Sequence, residues 1–123
     1  MFIDKVKDMK SFYNKLEGSL NYIINKYRNY NDLSDDKKES VLRNLAEDLD
    51  KISNLLDNYG YTYRPAKRLD VNNKSFGVLL VRYLNGFQDY IDKGTLEVET
   101  IATDIRTLIN LIDKHISVKE NFI

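Results

Sequence analysis

The chain has 123 residues, 19 basic and 19 acidic side chains for a formal net charge of +0, one histidine and no cysteine. Its length predicts a single domain, residues 1–123, and an apolar content of 42% is sufficient for a packed core. The balanced charge argues against a function dominated by attraction to nucleic acid or membranes. The lack of cysteine excludes disulfides, thiolate metal sites and cysteine nucleophiles.

The start of the chain is charged rather than apolar, with Asp4, Lys5, Lys7 and Asp8 among its first residues. Such a segment does not have the apolar core of a secretory signal. The longest strongly apolar stretch, 76–81, is far shorter than the ~20 residues that a transmembrane helix needs. We therefore expect a cytoplasmic protein that does not contact a membrane.

Residues 2–30 are predicted to form the first helix. Their apolar side chains recur at alternating spacings of four and three, which is typical of a helix packed along others in a bundle. The ladder consists of Phe2, Val6, Met9, Tyr13, Leu16, Leu20, Ile23, Tyr27 and Tyr30, with Phe12 and Ile24 beside it. Basic residues and asparagines, among them Lys7, Lys10 and Arg28, follow one polar stripe.

The same spacing predicts a second helix over 35–59, carried by Leu42, Leu45, Leu49, Ile52, Leu56 and Tyr59. Ser34 is suited to cap its start, and Gly60 is suited to a left-handed cap at its end. Two acid-then-base pairs at i,i+4, Glu39 with Arg43 and Glu47 with Lys51, are expected on its outer face.

Two further helices are predicted over 74–93 and 96–117, after a connection that is long for a helical bundle and contains Pro65. The third helix has Phe76, Leu80, Tyr83, Phe87 and Tyr90 on its apolar ladder, and an Asp89–Lys93 pair. Gly94 is expected to end it. The fourth has Val98, Ile101, Ile105, Leu108 and Ile112.

An alternative for the second half is a β-hairpin. Asn85-Gly86 between apolar runs favours a tight hairpin turn, and 96–99 alternates as a strand would. The helical spacing, however, continues through Gly86 to Phe87, Tyr90 and Ile91. We therefore predict an all-α protein, a four-helix bundle or a closely related antiparallel helical bundle, with a long loop between helices two and three.

The residue types offer little chemistry, and we expect no enzyme, metal or cofactor. One histidine without cysteine cannot build the usual zinc sites, and no glycine loop for phosphates is present. His115 is expected to close the end of the bundle, on a different helix face from Arg106. The carboxylate pairs Glu47/Asp50 and Asp89/Asp92 lie outside the apolar ladders, so we expect no carboxyl in the desolvated setting that acid–base catalysis needs.

The leading functional hypothesis is therefore a small protein–protein interaction module of the adaptor or inhibitor type. Its candidate binding residues are aromatic, basic or spare apolar positions: Tyr61, Tyr63, Arg64, Val78 and Val81. The third helix is apolar over most of its circumference, so self-association through it would give a homo-oligomer. The alternative is nucleic-acid binding by the loop 61–68 and the stripe of helix one, through Lys7, Lys10, Arg28, Arg64, Lys67 and Arg68.

Overall fold

The structure is a computed structural model that describes residues 2–61, 75–94 and 97–121, with the side chains of 9–61, 75–94 and 97–117. The described residues form four α-helices and no β-strand. The helices are α1 (Phe2–Tyr27), α2 (Asp35–Asn58), α3 (Phe76–Asp92) and α4 (Val98–Asn121), with a short 3-10 helix, Tyr30–Asp32, after α1. The predicted all-α bundle is confirmed. The hairpin alternative is wrong, because Asn85 and Gly86 lie inside α3.

Aromatic contacts fix the direction of each helix. The ring of Phe12 near the start of α1 lies 4.4 Å from that of Tyr59 just beyond α2, so α2 runs back along α1. Tyr30, beyond the other end of α1, lies 6.0 Å from Phe76 at the start of α3. Phe76 in turn stacks at 4.7 Å on His115 near the end of α4. The four directions are therefore up, down, down and up.

Each helix packs mainly against two others. The main contacts join α1 to α2 and α3, and α4 to α2 and α3, so that α1 and α4 lie on one diagonal of the bundle. All neighbouring pairs are antiparallel. Because Tyr61 and Ser75 lie at opposite ends of the bundle, the chain enters and leaves the undescribed stretch 62–74 at opposite ends.

One apolar cluster joins all four helices. Its most deeply buried members include Leu16, Leu20, Leu45, Leu49, Leu80, Phe87, Ile101, Ile105 and Leu108. These residues belong to the predicted ladders. The ladder of α1 is wrong at one step: Phe12 is completely buried, whereas Tyr13 is 38% exposed. A straight α-helix falls about 20° out of step with a strict seven-residue repeat in each heptad. Over several turns this difference moves Tyr13 off the buried face and brings its neighbour Phe12 onto it.

The helix ends follow the predicted signals in part. Gly60 has φ of +84°, its N–H donates to the carbonyl of Asp57, and the N–H of Tyr61 donates to that of Leu56. This paired pattern is a Schellman cap. Gly94, with φ of +68°, ends the turn after α3. Ser34 occupies the predicted capping position of α2 without a side-chain capping bond. The fourth helix continues past the predicted 117 to Asn121.

Candidate functional site

The described surface has an open groove between α1 and α2 with a volume of about 490 Å³. We call it the Tyr22 groove. It is lined by Lys15, Gly18, Ser19, Tyr22, Ile23, Asp48, Lys51, Ile52 and Leu55. Its floor consists of the buried side chains of Ile23 and Ile52, and the more polar residues form its walls. Helix spacing explains the α1 wall, because positions 15, 18 and 22 lie on one face of a helix.

Tyr22 is the most exposed large hydrophobic side chain in the described part of the chain, at 54%. Its hydroxyl accepts a hydrogen bond of 3.0 Å from Lys26 Nζ, which also lies 5.1 Å from the centre of its ring. Lys26 is in turn 3.2 Å from Asp48 Oδ2 across the groove. These contacts fix the hydroxyl of Tyr22 beside Lys26, opposite Asp48.

A partly buried hydrogen bond joins α1 to α2 beneath Lys26. Tyr27, only 1% exposed, donates its hydroxyl to Asp48 Oδ2 at 2.5 Å. Burial raises the pKa of Tyr27 above its ordinary value, and its hydrogen bond to Asp48 acts in the same direction. The hydrogen bonds that Lys26 donates to Tyr22 and Asp48 raise the pKa of Lys26. Lys26, Tyr27 and Asp48 thus form a charged network that ties α1 to α2.

The groove carries uncompensated positive charge. Asp48 is matched by Lys26, whereas Lys15 and Lys51 are exposed and have no carboxylate within 4.0 Å in the described part of the chain. The predicted pair of Lys51 with Glu47 is not formed, although Glu39 and Arg43 do meet, at 3.8 Å. Two positive charges therefore flank the exposed ring of Tyr22.

Gly18 leaves a gap in the α1 wall of this groove. A methyl group added at Gly18 would meet no atom within 4 Å. Glycine inside a helix costs roughly 0.8–1 kcal/mol relative to alanine. Since no packing inside the described fold requires glycine here, the open space is on the outside, next to Tyr22.

The predicted binding residue Tyr61 is engaged within the fold. Its ring stacks on Phe12, with centroids 5.5 Å apart and planes 9° from parallel. Burial raises the pKa of its hydroxyl. As the residue after Gly60 in the Schellman cap, Tyr61 closes one end of the core. One face of the Tyr61 ring is therefore used within the fold.

Most of the predicted loop site lies outside the described residues. This applies to Tyr63, Arg64, Lys67 and Arg68, and to the side chain of Lys7. Lys10 on α1 and Arg28, one residue beyond the end of α1, are both exposed and lie 18 residues apart, near opposite ends of the helix. Exposed Glu17 lies between them, so the described part of the stripe is only weakly basic.

On α3, Val78 is 49% exposed and Val81 is half-buried. The helix packs between α1 and α4, which explains most of its apolar circumference: Leu79, Leu80, Leu84 and Phe87 are all buried. The spare apolar surface predicted for this helix is therefore smaller than expected.

The partial burial of Asp104 on α4 was not predicted from the sequence. Burial raises the pKa of Asp104 from its ordinary 3.8 to about 6. Burial likewise raises the pKa of Tyr83 to about 12 and that of Tyr90, and the negative charge of Asp104 adds to both shifts. Asp104 therefore lies in a partly desolvated setting, which the sequence did not assign to it. The spacing of residues does indicate this burial, because Asp104 lies three residues after Ile101 and four before Leu108, on the apolar face of α4.

Neither His115 nor Arg106 lies beside Asp104. His115 is 11 residues further along α4, about 16 Å away along the helix axis, and stacks on Phe76. Arg106 faces α2, where it lies 3.3 Å from Asp57 and 4.0 Å from Asp50. The described residues contain no cluster of His, Cys, Asp or Glu able to hold a metal ion.

Comparisons with known proteins do not identify this chain, since no protein-family model, curated protein or solved structure matches it. Within the described ranges, none of the helices combines the length and apolar character needed to cross a bilayer.

Proposed function

We propose that this chain is a non-enzymatic, cytoplasmic protein–protein interaction module of the adaptor or inhibitor type, which binds an acidic segment of another protein in the Tyr22 groove. The observation that supports this most directly is the exposed and fixed ring of Tyr22 beside the open space over Gly18. Aromatic side chains dominate the energetics of protein interfaces. A ring already held by Lys26 loses little further conformational freedom on binding, which favours affinity.

The charge of the groove specifies the chemistry of its occupant. Lys15 on one wall and Lys51 on the other have no carboxylate within 4.0 Å in the part of the chain that the structure describes, so a segment with two or more carboxylates would pair with both. An apolar side chain of that segment would lie against the ring of Tyr22 and over Gly18. A groove between two helices suits a third, amphipathic helix that presents such side chains at i and i+4.

The partner can be sought by crosslinking and tested with purified components. A photoreactive phenylalanine analogue replaces Tyr22, and in a control replaces exposed Asn110 on α4, a helix that does not line the groove. A protein captured from the native cells only at position 22 is then purified. Its affinity is measured by calorimetry for the unmodified chain and for the variant Lys15→Glu/Lys51→Glu.

The proposal expects this charge reversal to weaken binding by about 100-fold, or 2.7 kcal/mol. A matched reversal away from the groove, Lys10→Glu/Arg28→Glu, should change the affinity less than about threefold. Equal affinities of the unmodified chain and the groove variant would exclude the groove as the binding site. Loss of binding in the Lys10/Arg28 control, with nucleic acid as the captured molecule, would favour the alternative function.

Gly18→Ala separates binding from folding. The methyl group has room within the fold and should stabilise α1 by roughly 0.8–1 kcal/mol, so a rise in Tm is expected. The same methyl group narrows the groove beside Tyr22 and should reduce affinity for the captured protein by about tenfold, or 1.4 kcal/mol. A variant with a higher Tm and undiminished affinity would show that nothing packs over Gly18.

A further inference from the structure

The outward face of α3 has a stripe of residues whose positions are symmetric about the point between Asn85 and Gly86. It consists of Val78, Arg82, Asn85, Gly86, Asp89 and Lys93. We call it the α3 stripe. Val78 and Lys93, Arg82 and Asp89, and Asn85 and Gly86 are each equidistant from the point between Asn85 and Gly86. Five of the six residues are exposed, and Gly86 is half-buried.

The charges of this stripe are unused inside the monomer. The side chains of Arg82 and Asp89 form no ion pair in the described part of the chain, and the predicted Asp89–Lys93 pair is not formed either. Arg82 and Asp89 are seven residues apart, about 10.5 Å along the helix, and so cannot pair with each other.

These positions complement themselves when two copies of α3 pack antiparallel. A two-fold axis between Asn85 and Gly86 places Arg82 opposite Asp89 of the second copy and, by symmetry, Asp89 opposite Arg82 of the second copy. Val78 then lies against the alkyl stem of Lys93 of the second copy. A methyl group at Gly86 would meet no atom within 4 Å, so the axis passes through a shallow notch that allows close approach of the backbones.

We propose that a second copy of this chain binds the α3 stripe, forming a two-fold symmetric dimer held by two Arg82–Asp89 ion pairs. The formal net charge of +0 means that two copies meet without net repulsion. Val81, which lies about 60° around the helix from Val78, stays at the edge of this contact. The surface is independent of the Tyr22 groove, so each can bind without the other.

One helix pair is a small interface, and exposed ion pairs are individually weak. We therefore expect a reversible dimer with a dissociation constant of roughly tens to hundreds of micromolar. This constant should rise with salt, because salt screens the ion pairs. Sedimentation velocity of the whole chain, from about 10 µM to about 1 mM, should show the dimer fraction rising with concentration and falling with added sodium chloride.

Charge reversal gives the decisive test. Arg82→Asp places two carboxylates opposite each other in the dimer, and Asp89→Arg places two guanidinium groups opposite each other, so each variant alone should be monomeric at about 1 mM. An equimolar mixture of the two should dimerise as the unmodified chain does, because every contact then joins opposite charges. The double variant Arg82→Asp/Asp89→Arg should also dimerise.

The control reversals Lys37→Asp and Asp113→Arg change exposed charges away from the stripe and should leave dimerisation unchanged. Circular dichroism checks that each variant keeps its helices. A chain that is monomeric throughout the concentration range overturns the proposal, as does dimerisation of either single variant at the unmodified level. Failure of the mixture to restore the dimer overturns the proposed pairing.

Discussion

The hydrogen bond from Tyr27 to Asp48 is the clearest single contact to remove. Tyr27→Phe deletes only the hydroxyl that donates to Asp48 Oδ2 at 2.5 Å and leaves the ring in the core. A hydrogen bond to a charged group contributes about 1.5–3 kcal/mol. Because Asp48 keeps its contact with Lys26 at 3.2 Å, we expect a loss of about 2 kcal/mol in the free energy of unfolding.

Urea unfolding followed by circular dichroism at pH 7 measures this loss, and for a chain of this size it corresponds to a fall in Tm of roughly 6–10 °C. The matched control is Tyr22→Phe, which removes a hydroxyl that also contacts Lys26 but is exposed. Its effect should stay within about 0.5 kcal/mol. If both variants unfold like the unmodified chain, the Tyr27–Asp48 bond does not stabilise the pairing of α1 with α2.

Two further predictions concern a charge and a turn. Since the folded chain keeps the proton of Asp104 up to a pKa of about 6, against an ordinary value of 3.8, this group's contribution to stability falls as pH rises between those values. After discounting for solvent screening, Asp104→Asn should therefore stabilise the protein by about 1 kcal/mol at pH 7 and not at about pH 3.5; an equal effect at both would refute this. Gly60→Ala should destabilise by about 1 kcal/mol, because φ of +84° strains any residue with a Cβ. Thermal unfolding measures this loss of stability. An unchanged Tm would show that the cap after α2 does not require glycine.

The spacing of apolar residues was enough to predict the four helices, because a bundle core requires one apolar stripe from each helix. The spacing wrongly placed Tyr13 rather than Phe12 in the core, because the α-helical repeat differs from a strict heptad and the difference accumulates over about five turns. It also could not distinguish a helix that is apolar because it packs against two neighbours, as α3 does, from one with a free apolar face. That difference depends on which helices become adjacent.

The candidate groove was harder to predict than the fold. A single exposed aromatic such as Tyr22 is common on protein surfaces, and a glycine within a helix has several explanations. Their meaning depends on Lys51 and Asp48, which lie more than 25 positions further along the chain and reach the same place only after α1 and α2 pack. Tyr61 was chosen for its basic neighbours, and its position after Gly60 in a helix cap also indicates that one face of its ring packs inside the fold.

The up, down, down, up course of the helices has a consequence for how the chain reaches its native state. Sequence neighbours build two helical hairpins, α1 with α2 and α3 with α4, and each is a local structure that can form quickly. Neither hairpin can shield its apolar stripes alone, since the shared cluster draws on all four helices. We therefore expect the docking of one hairpin on the other to be the slow step, so that the folding rate depends on this docking more than on helix formation.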